Sequence, residues 1–160
     1  MIDLNASGQG LDGYDLLAAQ VQALFADERD FIANAAQFSA FLYNQVEDLN
    51  WAGFYINRNE ELVLGPFQGQ VACVRIPFSR GVCGAAAATR STQRVEDVHA
   101  FPGHIACDSA SNSELVIPLV KAGRLIGVLD LDSPKLARFS AADQAGLERL
   151  VEVFLELTDC

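Results

Sequence analysis

The sequence predicts an α+β fold, a central antiparallel β-sheet with the N- and C-terminal helices packed on one face. Three observations predict it. Apolar residues recur at helical spacing near both ends, and strand-like segments fill the middle. The chain has 160 residues, 51% of them hydrophobic, which suits one domain with a real core. The whole of 1–160 therefore reads as a single domain, with 1–13 as a flexible N-terminus.

In the first half, Leu16, Leu17, Val21, Leu24 and Phe25 keep helical spacing. After a charged break at 27–30, so do Phe31, Ala35, Phe38, Leu42 and Val46. Two amphipathic helices are expected, with their aromatics in the core. Residues 51–56 are apolar and aromatic-rich and read as a strand, followed by a polar turn at 57–60. Further strands are expected at 61–64 and 71–76, joined by the Gly-Pro-Phe-Gln-Gly segment at 65–69. Residues 81–90 are small and alanine-rich, which predicts a short helix lying close on the sheet, and 94–98 reads as another short strand. A loop at 99–113 follows, of a length that in compact domains is functional or disordered. Residues 114–120 and 125–132 form a hairpin across 121–124. The last helix begins after Phe139, with Ser140 and Asp143 as a capping box and Leu147, Leu150, Val151 and Phe154 as its buried face.

The formal net charge is −10, which argues against nucleic acid and anionic lipid as partners, because nothing neutralises phosphates. It is compatible with a substrate that carries an ammonium group. No apolar run is long enough to cross a bilayer, and residues 1–13 lack the basic and apolar regions of a signal peptide. A soluble, cytoplasmic protein is expected. There is no Gly-x-Ser-x-Gly elbow and no Walker loop, and Gly65, Gly69, Gly81 and Gly84 do not make a dinucleotide fingerprint.

Four cysteines are present. In an intracellular chain such residues are buried fillers, metal ligands or reactive thiols more often than structural disulfides. Cys73 falls in an expected strand. Cys83 starts the expected short helix, whose dipole would lower its pKa. Cys107 sits in the long loop, with His104 near enough to favour a thiolate. Cys160 has no context that suggests a role. Zinc on Cys73, Cys83, Cys107, His99 and His104 is not expected, because no close Cys-x-x-Cys or His-x-x-x-His pair is present.

Asp130 and Asp132 are two apart, so both carboxylates point to one face of a strand end, with Ile126 and Val128 before them on that face. Glu114 starts the neighbouring strand. Close, partly buried carboxylates can share a proton or bind a cation. A solvated strand terminus has the same spacing. On the strand at 51–56, Trp51, Gly53 and Tyr55 share a face, and two aromatics flanking a glycine leave a slot that suits a thioether methyl. Plain core packing accounts for the same pattern.

These residues resemble a known family, the free methionine-(R)-sulfoxide reductases, which are built on GAF domains. The matching stretches are Asn-Trp-Ala-Gly-Phe-Tyr (50–55), Leu-Gly-Pro-Phe-Gln-Gly (64–69) and Gly-Val-Cys-Gly (81–84). They continue with Asp-Val-His-Ala-Phe-Pro-Gly-His-Ile-Ala-Cys-Asp (97–108), Ser-Glu-Leu-Val-Ile-Pro-Leu (113–119) and Gly-Val-Leu-Asp-Leu-Asp-Ser (127–133). The resemblance implies a GAF-like fold and a role for each matching residue. Cys107 matches the cysteine that attacks the sulfoxide sulfur, Cys73 the main resolving cysteine and Cys83 an auxiliary thiol. Trp51 and Tyr55 match the aromatic walls of the substrate pocket. Glu114, Asp130 and Asp132 match the acids that hold the substrate and help protonate the leaving oxygen, with Asp132 counted among the catalytic groups.

The family also implies a disulfide recycled by thioredoxin, no cofactor or metal, and a homodimer. Which of Cys73 and Cys83 resolves first stays open at this point, as does the acid that gives the proton. A GAF ligand-binding module or a thiol redox sensor is the competing expectation. A binding module retains its ligand unchanged. A sensor forms a disulfide with peroxide and does not select one sulfoxide enantiomer.

Overall fold

The computed structural model describes residues 13–105, 107 and 109–160. Of the expected flexible N-terminus, 1–12 lie outside the described residues, while Gly13 opens the first helix. The elements in chain order are α1 (Gly13–Leu24), α2 (Phe31–Gln45), β1 (Trp51–Asn57), β2 (Glu61–Gly69), β3 (Arg75–Pro77), α3 (Gly81–Thr89), β4 (Gln93–Val95), β5 (Ser113–Lys121), β6 (Arg124–Ser133) and α4 (Ala141–Glu156). The strands form one sheet in the order β3-β2-β1-β6-β5-β4, with every neighbouring pair antiparallel.

The two faces of the sheet carry separate cores. On one face, α1, α2 and α4 pack over Ala52, Phe54, Leu115, Leu129 and Leu131. Phe38 stacks on Phe154 with centroids 5.4 Å apart, and Phe25 meets Phe38 edge-on at 5.8 Å. The expected face of α4, Leu147, Leu150, Val151 and Phe154, is buried here. Its capping box is present: Ser140 Oγ accepts from the Asp143 amide at 3.0 Å, and Asp143 Oδ2 accepts from the Ser140 amide at 2.9 Å. On the opposite face, α3 packs Val82, Cys83, Ala86 and Ala87 against Trp51, Tyr55, Val116 and Val128. Small residues allow that approach, since a Cβ at Gly84 would stand 2.6 Å from the Pro77 carbonyl oxygen. The fold class read from the sequence is the one observed.

The β5–β6 hairpin turns through Ala122 and Gly123, both at positive φ (52° and 75°), as a type I′ two-residue turn requires. It sets Glu114 directly opposite Asp132.

Four local expectations are corrected. The segment at 65–69 is strand rather than link. β2 runs through it, with Gly65 and Pro66 forming a bulge where the register with β1 shifts, which is how a proline is carried in a sheet. The strand expected at 71–76 is only Arg75–Pro77, so Cys73 lies off the sheet. Val71 and Val74 are exposed. One backbone bond reaches the segment from β2, from the Leu64 amide to the Val74 carbonyl at 2.9 Å, and side chains hold the rest: Trp51 Nε1 donates to the Gln70 carbonyl at 3.1 Å and the Tyr55 hydroxyl to the Cys73 carbonyl at 2.9 Å. The strand expected at 94–98 stops at Val95, and Val98–Ala100 is a 3-10 turn capped by Asp97, whose carboxylate accepts from the His99 amide. Finally, Ile126 does not share a face with Val128. The β5–β6 register shifts between Leu119 and Val120, one residue is inserted, and Ile126 turns into the core under α1, α2 and α4.

Candidate active site

A cleft opens where α3, the ends of β1, β5 and β6, and the loop before β5 meet. Its lining includes Trp51, Tyr55, Cys83, Cys107, Glu114, Asp130 and Asp132. Cys73 is tied to it covalently: Cys73 and Cys107 form a disulfide with Cα atoms 5.4 Å apart, within the span such a bond permits. Every residue singled out from the sequence as catalytic or substrate-binding is therefore in the cleft lining or bonded to it. Cys160 is exposed and is not among them.

The acids come from two adjacent strands. Glu114 lies on β5 and Asp130 and Asp132 on β6, all between 6% and 8% exposed, which removes the solvated-terminus reading. Burial raises Glu114 well above the usual carboxylate range, and the neighbouring Asp130 and Asp132 raise it further. Burial also raises Asp130, against hydrogen bonds from Glu114 and Cys83 that pull it down. Asp130 Oδ1 is buried with no hydrogen-bond partner among the described residues. The site thus holds acids that keep protons at a pH where free carboxylates have lost them.

Cys83 is buried in the first turn of α3, with Sγ 3.9 Å from Glu114 Oε2. The expectation that the helix start lowers its pKa is corrected. Burial, then the charges of Asp130, Glu114 and Asp132, push the thiol up. His104 lines the cleft, but burial and then His99 hold its imidazole below its usual pKa, so it offers no fixed positive charge to a Cys107 thiolate.

The aromatic pair also departs from expectation. Trp51 and Tyr55 stack with centroids 5.9 Å apart, and the space over Gly53 is taken by Phe67, which stacks on Trp51 at 5.2 Å. There is no open slot between the two rings. They wall the cleft from its side.

Sequence reasoning missed Ala72, Ile76, Val82, Ile105 and Ser111 in the lining. Ser111 Oγ accepts from Asn50 Nδ2 at 3.1 Å, which ties the loop to the residue just before β1. Nothing in the local run of small residues around Ser111 marks it out.

Cleft, disulfide and acids can be set beside known proteins. A family model described as "GAF domain" matches residues 32–154. The free methionine-R-sulfoxide reductase of Escherichia coli (strain K12) is 54% identical over 149 residues, covering 91% of this chain and 90% of that protein. A crystal structure from Burkholderia vietnamiensis, provisionally described as a GAF sensor protein, is 60% identical with a TM-score of 0.88, over 91% of this chain and 92% of that one. The free methionine-R-sulfoxide reductase of Neisseria meningitidis, solved in complex with its substrate, is 44% identical with a TM-score of 0.88, over 98% of this chain and 94% of that one.

Proposed function

Since the chain belongs to the free methionine-R-sulfoxide reductases within the GAF domain family, we propose that it reduces free L-methionine (R)-S-oxide to L-methionine through Cys107, Cys73 and the buried acids. It is an enzyme, a methionine sulfoxide reductase. The observation that carries the mechanism is the Cys73–Cys107 disulfide at a cleft lined by Glu114, Asp130 and Asp132.

A sulfoxide sulfur accepts a nucleophile, but its oxygen leaves only with a proton. The site therefore needs a thiolate and an acid together. The Cys107 thiolate attacks the sulfur, and Glu114, Asp130 or Asp132 gives the oxygen its proton. Methionine departs with the sulfur reduced, and Cys107 is left oxidised as a sulfenic acid. The Cys73 thiol then attacks the Cys107 sulfur, a disulfide forms and water leaves. The bonded pair supports Cys73 as the partner of Cys107, with Cys83 held in reserve as a protonated, buried thiol. A dithiol protein reduces the disulfide by exchange and is itself oxidised. The family resemblance supports thioredoxin as that protein, and likewise a homodimer in the cytoplasm. The reaction draws on no cofactor.

The acids also give a reason for a free amino acid as substrate. An α-ammonium group among carboxylates makes charge-assisted hydrogen bonds, which a peptide-linked methionine sulfoxide cannot supply. The reduced protein is offered the R and S forms of free methionine sulfoxide and an N-acetylated form, and methionine released and thiols lost are counted. Methionine from the free R form alone, with two thiols lost per turnover, supports the reading. Retention of the sulfoxide unchanged moves the protein to the binding modules.

A further inference from the structure

We propose that Cys83, Glu114 and Asp130 form a binding site for a zinc-class divalent cation. Their donor atoms, one sulfur and two carboxylate oxygens, all lie within 4.8 Å of one another, and all three residues are buried. The three come from α3, β5 and β6, elements fixed by the core on that face of the sheet, so the donors are held together before any ion arrives.

A second observation points to a ligand. Asp130 lines the cleft with Oδ1 buried and lacking a hydrogen-bond partner among the described residues. A carboxylate oxygen taken from water without a donor is costly, and a cation satisfies it. The disulfide uses Cys73 and Cys107 and leaves Cys83 a free thiol, so the site persists in the oxidised protein.

The donor set selects the ion. Magnesium and calcium take oxygen ligands, whereas one thiolate with two carboxylates suits zinc or cadmium. Binding forms one sulfur–metal and two oxygen–metal bonds and releases to solvent the Cys83 thiol proton together with any proton that the Glu114 and Asp130 carboxyls hold. No electron moves, and the disulfide is unchanged. The ligand set differs from the cysteine and histidine combination weighed from the sequence, because Glu114 and Asp130 reach Cys83 only through the fold. An ion held there occupies acids that the proposed reaction needs, so metal and substrate exclude each other.

The test uses the oxidised protein in a Cys160→Ser background, where Cys83 is the free cysteine that remains. Cadmium chloride is titrated in, and the ultraviolet thiolate-to-cadmium charge-transfer band is followed. The band is expected to saturate at one equivalent and to be displaced by zinc. Cys83→Ser is expected to abolish it, and Asp130→Asn to weaken binding by roughly tenfold or more. Circular dichroism checks each fold, and where Cys83→Ser does not fold, Glu114→Gln is held to the Asp130→Asn criterion. No band in the parent, a band that survives Cys83→Ser, or an Asp130→Asn protein that binds as tightly as the parent overturns the proposal. None of these readouts depends on sulfoxide reduction.

Discussion

The Tyr55 hydroxyl donates to the backbone carbonyl of Cys73 at 2.9 Å, so a side chain on the central strand β1 holds the segment that carries the disulfide partner of Cys107. Burial first, then the charges of Asp130, Cys83, Asp132 and Glu114, raise the Tyr55 pKa far above its usual value, which keeps the proton that makes this bond. Tyr55→Phe keeps the ring and deletes the donor. One hydrogen bond is worth about 0.5–1.5 kcal/mol, so disulfide formation is expected to slow by roughly two- to tenfold. Release of the first methionine is expected to keep its rate. Single-turnover kinetics, with a sulfenic-acid trap to count the intermediate, separates the two steps. Equal disulfide rates in the two proteins would show that the tether does nothing for resolution.

Much of this arrangement is legible in the sequence, and the remainder is hidden for identifiable reasons. Helical spacing at Phe38 and Phe154, alternation at Trp51 and Tyr55, and the capping pair Ser140 and Asp143 are local signals, and each stands as read. The face of Ile126 is lost to local reading because it depends on one residue inserted against β5. Residues 71–76 have a strand's composition, and only the tertiary bonds from Trp51 and Tyr55 reveal that Cys73 has left the sheet. The position of Cys83 at a helix start is visible, but the acids that reverse its pKa shift lie on β5 and β6, far along the chain. Gly53 reads in sequence as a gap between two aromatics, and only the fold shows that gap filled, because Phe67 comes from β2.

The two bonded cysteines make different predictions. Cys107→Ser removes the proposed nucleophile and is expected to abolish methionine release, even in a single turnover. Cys73→Ser keeps the nucleophile and is expected to release one methionine per protein and then stall. Methionine release and free-thiol counts, with and without thioredoxin, distinguish the two. Sustained thioredoxin-driven cycling in Cys73→Ser would transfer the resolving role to Cys83.

Glu114 ties stability to pH. Its folded pKa is raised above the ordinary value near 4.5, chiefly by burial. A carboxyl shifted this way gives its full stabilisation below the unfolded pKa and loses it as the pH rises through the folded one. Glu114→Gln removes that dependence. Urea unfolding at pH 5 and pH 8 is expected to show the variant gaining on the wild type as the pH rises. A difference that stays constant or narrows would mean that Glu114 ionises freely in the fold.

Gly53 and Gly123 separate two reasons for a glycine. A Cβ at Gly53 would stand 2.7 Å from Phe67 Cα and 2.9 Å from the Pro66 carbonyl oxygen, so Gly53→Ala forces β2 away from β1. Overpacking of this kind costs roughly 1–3 kcal/mol. It also shifts Phe67 on Trp51, the one tryptophan in the chain, so intrinsic fluorescence reports the change directly. At Gly123 a Cβ meets nothing within 4 Å, and only the positive φ of 75° resists it. Gly123→Ala is expected to cost about 1 kcal/mol with unchanged fluorescence. Denaturant midpoints and emission spectra of both variants test the pair. A Gly53→Ala protein with native stability and emission would show that β2 and Phe67 can shift without disturbing the wall of the cleft.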